Sequence, residues 1–217
     1  RVGENSLLEL YLFINPIGST CYHSEQIIIK LADELQNKIR FRFIPFLNLA
    51  ATVSVMEENS IPLNNLDLRN HVFNQAYQAS LDYKAALFQG KKRGRRFLLN
   101  LQHKIIDEKL TYSEKLAQRI ADTCQLDKEM FSHDRHSDFT INSFHQDMQM
   151  AAEMHVHAFP TIVLYNLNGI DCGVSLTECT SYQLLADLCT GKMNDLLNFQ
   201  NKIDQIKKHS NPHLHIL

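Results

Sequence analysis

The chain opens with an alternating apolar segment that stops at a proline. Every second residue from Leu8 to Ile14 is apolar, so an extended chain places these side chains on one face. Tyr11 and Phe13 make the opposite face apolar as well. A strand that is covered on both sides has this pattern. We therefore predict a central strand that ends before Asn15-Pro16.

The next two elements have a helical and then a strand periodicity. Ser24–Gln36 repeats apolar side chains at helical spacing, and the helix is predicted to begin near Ser19–Cys21. Ile39–Ile44 alternates apolar and basic residues before Pro45, which predicts a second strand near a sheet edge. Strand, helix and strand in this order predict a right-handed βαβ unit with parallel strands.

The long central block has helical signals and no strand candidate. Leu47–Leu63 has little periodicity and is predicted to be a loop. Helices are predicted over Leu68–Phe88, Gly94–Lys109, Ser113–Cys124 and Asp138–Met154, with a short helical turn at Lys128–Phe131. Ser113 is a suitable N-cap residue. We interpret the block as a helical subdomain inserted into the α/β unit.

The last part of the chain returns to strand patterns. Ile162–Tyr165 predicts a third strand, and Asn166–Gly169 predicts a hairpin turn because Asn and Gly tolerate positive φ. Ile170–Val174 predicts an antiparallel fourth strand, followed by helices at Ser181–Leu188 and Met193–Ile206. The predicted fold is α/β, with a βαβ half at residues 7–60, a helical insertion at 61–155, a ββα half at 156–208 and a flexible tail at 209–217.

Composition indicates an ordinary globular protein. Hydrophobic residues make up 44% of the chain and charged residues 21%. The formal net charge of −2 predicts no general attraction to nucleic acid or to an anionic membrane. No apolar run approaches the ~20 residues of a transmembrane helix, and no signal-peptide pattern is visible. The five cysteines form no Cys-x-x-Cys pair, which favours a reducing cytoplasm over a disulfide-bonded secreted fold.

The junction of the first strand and helix, Gly18-Ser19-Thr20-Cys21, is the candidate site. A strand, a short turn and a cysteine in the first turn of a helix are typical of a thiol–disulfide exchange site. Such sites use two cysteines, because one attacks and the other resolves the mixed disulfide. Gly18 occupies the first of these positions, so dithiol exchange is blocked here. Cys21 is either a residual thiol that forms a mixed disulfide at a helix N-terminus, or a partly buried inert thiol.

Together with Ala158-Phe159-Pro160-Thr161, this segment resembles the DsbA-like branch of the thioredoxin superfamily. The resemblance covers nearly the whole chain, including Gln89-Gly90-Lys91-Lys92 in the helical block. It implies a thioredoxin-like fold with a helical insertion, and a cis-proline loop at Phe159-Pro160 that faces Cys21. In that loop, the backbone of Phe159 would be free to pair with an extended peptide or with glutathione. The resemblance thus assigns binding roles to Gly18, Ser19, Thr20, Phe159 and Pro160.

Within this branch, the chain is most similar to cytoplasmic proteins of Gram-positive bacteria known as dithiol-disulfide isomerases. Their best-understood member is the adaptor that delivers the regulator Spx to the ClpXP protease. In that group the first strand ends in Asp/Asn-Pro-x-Cys-Pro-x-Cys, so Gly18 replaces the first cysteine. The Cys- and His-rich metal-binding segment of the group is not visible here. The resemblance implies a cytoplasmic protein-binding adaptor with Spx-like and ClpXP partners and no cofactor.

A second class of function, an enzyme, stays open. It would be a thiol–disulfide oxidoreductase or isomerase, or a kappa-like transferase that uses glutathione. The related transferases hold the glutathione thiolate with a Ser near this turn, and Ser19 is displaced from that position by one residue. Helix capping is the other interpretation of Ser19 and Thr20.

Two further clusters are candidate binding sites. Lys91–Arg96 carries five positive charges in six residues and is either a phosphate or acidic-partner site or a solvated corner between helices. The lack of interleaved aromatic residues argues against nucleic acid. His155-x-His157 and His213-x-His215 have no Cys or carboxylate at ligand spacing, so no metal site is predicted.

Overall fold

A computed structural model describes residues 7–35, 38–167, 173–178, 181–191 and the backbone of 213–216. Its strands are β1 (Leu8–Ile14), β2 (Ile39–Pro45), β3 (Thr161–Tyr165), β4 (Val174–Thr177) and β5 (His213–Ile216). Its helices are α1 (Ser19–Glu34), α2 (Leu49–Glu58), α3 (Leu66–Phe88), α4 (Lys91–Gln102), α5 (Glu114–Thr123), α6 (Lys128–Asp134), α7 (Asp138–Glu153) and α8 (Tyr182–Cys189). A π-helical turn, His103–Asp107, continues α4.

The strands form one sheet in the order β2-β1-β3-β4-β5. β1 pairs with β2 in parallel and with β3 in antiparallel orientation, so Leu12 lies between Phe43 and Ile162. The predicted βαβ unit, the central position of β1 and the edge position of β2 are therefore confirmed. The C-terminal end of β1 and the N-terminal end of β3 lie at the same end of the sheet, where Phe13 pairs with Thr161.

Each face of the sheet is covered, as the two-sided apolar pattern of β1 predicts. On one face, Leu10 and Leu12 belong to a core that α1 and α8 complete through residues such as Ile28 and Leu185. On the other face, Phe13 packs in a smaller core with Ala151 of α7. The helices between β2 and β3 have a third core of their own. Burial of these apolar side chains is the main force that holds the layers together.

The prediction of a loop over Leu47–Leu63 is wrong, because this segment contains α2. Asn48 caps the helix, and its Oδ1 accepts a hydrogen bond from the N–H of Ala51 at 2.7 Å. The buried residues of α2 are Ala51, Thr52, Val55 and Met56. Thr, Val and Ser are weak helix formers, so their run through 52–55 hides the helical period in the sequence.

The helical block is confirmed with shifted ends. The N-cap role of Ser113 is confirmed, since its Oγ accepts from the N–H of Leu116 at 3.2 Å. The helix predicted over Gly94–Lys109 instead begins at Lys91, after Gly90 with φ 119°, and its α-helical part ends at Gln102. A positive φ favours glycine, which explains where this helix starts.

The C-terminal predictions differ most from the structure. The fourth strand is Val174–Thr177, and its buried apolar positions are Val174 and Leu176. Of the strand predicted over Ile170–Val174, residues 170–172 lie outside the described residues. The end of the predicted flexible tail is strand β5, which pairs antiparallel with β4 and so satisfies backbone groups of β4. The predicted helix over Met193–Ile206 lies outside the described residues, as do Asn168 and Gly169 of the predicted hairpin turn.

Candidate functional site

The turn between β1 and α1 is organised by Asn15. Its side-chain Oδ1 accepts a hydrogen bond from the N–H of Ile17 at 3.1 Å, and its carbonyl accepts from the N–H of Gly18 at 3.0 Å. Asn15 and Gly18 are both buried. This Asx turn reverses the chain within a few residues and sets Gly18 as the N-cap of α1.

Cys21 is a shielded thiol. Its side chain is 1% exposed, and its Sγ accepts a hydrogen bond from the N–H of Asn15 at 3.2 Å. Burial raises the pKa of Cys21 far above its ordinary value, and the backbone hydrogen bond opposes this only in part. The residue is a protonated, inaccessible thiol at neutral pH, which matches the inert interpretation of Cys21.

The first turn of α1 is capped by a carboxylate from another helix. Glu58, the last residue of α2, accepts hydrogen bonds from the Ser19 N–H at 3.1 Å, from the Ser19 hydroxyl at 2.8 Å and from the Thr20 hydroxyl at 3.4 Å. An anion at the N-terminus of α1 is favourable for two reasons. It accepts hydrogen bonds from N–H groups that have no partner within the helix, and its negative charge interacts favourably with the helix dipole. Ser19 and Thr20 thus serve in an N-terminal cap, and Glu58 supplies the oxygen atoms.

The loop before β3 contains a cis peptide bond between Phe159 and Pro160. The carbonyl of Pro160 accepts from the N–H of Glu178 at 2.8 Å. The Phe159 ring stacks on Phe46 with centroids 4.7 Å apart, and it packs against the core that contains Cys21. Within the described residues, no hydrogen bond engages the backbone of Phe159. The strand register places this loop at the sheet end where α1 begins.

Sequence reasoning missed a buried acid beneath the site. Glu25 follows Cys21 by one helical turn, is fully buried, and accepts a hydrogen bond from Gln102 Nε2 at 2.7 Å. Its other oxygen and the Gln102 oxygen have no hydrogen-bond partner among the residues that the structure describes. Burial raises the pKa of Glu25 to about 8, so the protonated acid dominates at neutral pH. Its position on the apolar stripe of α1 was the signal available in the sequence.

We expect Glu25 to make stability depend on pH. Its pKa is about 8 in the fold and near 4.5 when exposed, so between these values the folded chain holds more protons than the unfolded chain. The free energy of unfolding then falls as pH rises from about 4.5 to about 8, by up to about 1.4 kcal/mol per pH unit. Glu25→Gln removes this titration and supplies a donor for the Gln102 oxygen, so its stability should change less with pH.

Urea unfolding between pH 5 and pH 8 measures this effect. Glu57→Gln, which changes an exposed carboxylate, is the matched control and should keep the wild-type slope. The same pH dependence in Glu25→Gln and in the wild type would show that Glu25 does not titrate in this range.

The described residues offer no evident metal site and no membrane segment. They contain no group of three or more His, Cys, Asp or Glu side chains placed to hold a metal ion. None of the described helices is long and apolar enough to span a bilayer.

Comparison with known proteins places the chain in a family. A family model described as Thioredoxin matches residues 11–187, which is most of the chain. The chain belongs to this family.

Curated relatives and solved structures agree with this assignment. ClpXP adapter protein SpxH of Bacillus subtilis is 28% identical over 217 residues, covering 87% of this chain and 68% of that protein. SpxH of Staphylococcus saprophyticus is 27% identical, covering 82% of this chain and 63% of that protein. The oxidoreductases NmDsbA1 of N. meningitidis and DsbA of Xylella fastidiosa superpose with TM-scores of 0.55 and 0.58 at 10% identity. The match to NmDsbA1 covers 94% of this chain and 89% of that chain, and the match to the Xylella DsbA covers 92% and 90%. Both confirm the DsbA-like fold.

Proposed function

We propose that this chain is a non-catalytic adaptor that binds a protein partner and promotes its degradation by ClpXP. The observation that carries the proposal is the loss of nucleophilic chemistry within an intact fold. Gly18 stands where an attacking thiol is required, and Cys21 is 1% exposed and hydrogen-bonded to the backbone. Because this site cannot exchange disulfides, we infer that the surface around it functions in binding.

Similarity to the SpxH proteins supports the choice of partner. Each of these relatives is named as a ClpXP adapter, and they align with 82–88% of this chain. We infer that the delivered protein is a regulator of the Spx type, that the setting is the bacterial cytoplasm, and that no cofactor takes part. The fold alone supports none of these statements, because thioredoxin-like folds serve many functions.

The glutathione-dependent alternative is disfavoured by Glu58. A transferase of that kind needs a free donor for a thiolate, and the Ser19 hydroxyl already donates to Glu58 at 2.8 Å. The carboxylate would also repel an incoming thiolate. The described thiols at other places offer no substitute, since Cys124 is 1% exposed and burial raises the pKa of Cys189 to about 12.

A reconstituted degradation assay tests the proposal. Spx is incubated with ClpXP and ATP, with and without this protein, and its half-life is followed on gels. We expect faster degradation with the wild type and equal acceleration with Cys21→Ala, because no thiol chemistry is required. An unchanged half-life would refute the adaptor role, and acceleration lost in a folded Cys21→Ala variant would refute its non-catalytic character.

A further inference from the structure

A groove of about 340 Å³ lies between the edge strand β2 and helices α3 and α4, away from the turn that carries Cys21. One part of its wall is apolar and aromatic, formed by Phe41, Phe43, Tyr83 and Leu87. The volume is within the range of sites that take a ligand or a few side chains of a peptide. The groove is thus large enough to hold apolar side chains of a partner.

The rest of the groove is basic. Arg42, Lys91 and Arg95 line it, and no carboxylate in the described part of the chain lies within 4 Å of them. Lys84 and Asp147 also line it, but they neutralise each other in a buried ion pair at 2.5 Å. Within the described residues, these three cations therefore form no salt bridge, on a chain whose formal net charge is −2.

Contacts within the fold hold Arg95 and the walls of the groove in place. The Arg95 guanidinium lies 4.6 Å above the Phe41 ring, which fixes the charge beside the aromatic wall. The Tyr83 hydroxyl donates to the Phe43 carbonyl at 3.3 Å and ties α3 to the edge strand. Gly94 allows α3 and α4 to approach closely, because a Cβ there would lie 2.6 Å from Leu87.

The charge arrangement is unfavourable for the helix itself. α4 begins with the basic run Lys91–Arg96, has no acidic residue in its first turn, and has no side-chain cap on its N-terminus. Cations near a helix N-terminus oppose the helix dipole, and like charges repel one another. A bound anionic partner would relieve both effects at once.

We propose that this groove docks an acidic peptide segment of a protein partner, with an apolar side chain between Phe41 and Leu87 and carboxylates on Arg42, Lys91 and Arg95. That the segment belongs to the delivered regulator rests on the proposed function, whereas the binding of an acidic peptide does not. Charge complementarity selects an acidic segment, and the aromatic wall selects one that also carries Leu or Phe.

Fluorescence anisotropy with a defined probe tests the proposal. The probe is a labelled 12-residue peptide in which Glu alternates with Leu and Phe, and the comparison peptide has Gln in place of every Glu. We expect the acidic peptide to bind at least about tenfold more tightly, with affinity that falls as salt rises. Equal affinity for both peptides, or tighter binding of a 12-nucleotide single-stranded RNA, would overturn the proposal.

Matched charge reversals locate the site. The double variant Arg42→Glu, Arg95→Glu should weaken acidic-peptide binding by about tenfold or more. The control is Lys92→Glu, Arg96→Glu, which makes the same change in net charge outside the groove. The control should weaken binding by less than about threefold. Arg42→Glu alone, at an exposed position, keeps the test valid if the double variant unfolds. Equal losses in both pairs would show non-specific attraction and overturn the proposal.

The same variants separate this proposal from the adaptor role. If wild-type protein accelerates degradation of Spx and the Arg42→Glu, Arg95→Glu variant does so equally, the adaptor role stands and delivery through the groove is refuted. If the wild type binds the acidic peptide and leaves degradation unchanged, the groove stands and the adaptor role is refuted.

Discussion

Gly18→Cys should give this protein a thiol–disulfide exchange activity that the wild type lacks. A Cβ at residue 18 would lie 3.6 Å from the Cys21 Sγ, and its nearest other neighbours, atoms of Asn15, are at ordinary contact distance. The backbone of Gly18, with φ −90° and ψ 132°, suits any residue. A cysteine side chain therefore fits without displacing the turn, and its sulfur falls within bonding reach of Cys21.

The expected readouts are a disulfide between residues 18 and 21 and turnover of insulin with dithiothreitol. Mass spectrometry after thiol labelling should find both cysteines oxidised under air. The wild type should stay at the level of the reagent blank. Gly18→Ser fills the same space without a thiol, and Gly18→Cys with Cys21→Ala has an attacking thiol without a resolving one, so both controls should be inactive in turnover. A Gly18→Cys variant that oxidises no faster than Ser19→Cys would refute the geometric argument.

Glu58 should limit the activity of the Gly18→Cys variant. A helix N-terminus lowers the pKa of a thiol, but a carboxylate hydrogen-bonded to the same helix turn raises it. Adding Glu58→Gln to Gly18→Cys removes the negative charge while keeping an oxygen for Ser19 and Thr20. Each unit by which the thiol pKa falls increases the thiolate about tenfold near neutral pH. Iodoacetamide kinetics against pH measures this shift, and unchanged kinetics would exclude an electrostatic role for Glu58.

The sequence alone predicted those parts of the site that are local in the chain. β1, the turn at Asn15-Pro16 and the thiol in the first turn of α1 lie within 14 residues, so alternation and spacing reveal them. Glu58 contacts Ser19 across 39 residues, and Gln102 contacts Glu25 across 77. Such contacts depend on how helices pack, and no periodicity encodes them. The sequence does not decide between a reactive and an inert Cys21, because burial is a tertiary property.

The difference between local features and long-range contacts also explains which parts of the fold prediction are wrong. α1 and α5 were predicted because their apolar stripes are regular, and Ser113 marks the start of α5. α2 was missed because its period is hidden by weak helix formers, and packing against the rest of the helical core decides its conformation. The strand conformation of β5 depends on its pairing with β4, a segment distant in the sequence, so the local pattern of residues 213–216 does not reveal it.

Replacing Arg135 by Met should destabilise the protein more than any other substitution considered above. Arg135 is 2% exposed and Asp82 is fully buried, and they form a double hydrogen bond at 2.7 and 3.1 Å. The Tyr112 hydroxyl donates to Asp82 at 2.7 Å, and Glu114 lies 2.8 Å from the third guanidinium nitrogen. One guanidinium thus joins α3, the segment before α5, and the end of α6. Without it, the Asp82 carboxylate stays buried with no counter-charge and keeps only its hydrogen bond from the Tyr112 hydroxyl among the described residues.

The expected loss is about 3–5 kcal/mol in the free energy of unfolding, since removal of one partner of a buried ion pair leaves a desolvated charge. Urea denaturation followed by circular dichroism measures it. Asp122→Ala, which breaks an exposed ion pair with Lys128, is the control and should change stability by less than about 1 kcal/mol.

Replacing both partners separates the charge from the packing. Asp82→Leu combined with Arg135→Met leaves no buried charge, so the double variant should be more stable than Arg135→Met alone. The coupling energy from this cycle measures the contribution of the pair. A loss below about 1 kcal/mol in Arg135→Met would contradict this expectation, because a buried carboxylate cannot lose both of its guanidinium hydrogen bonds at so small a cost unless water reaches it.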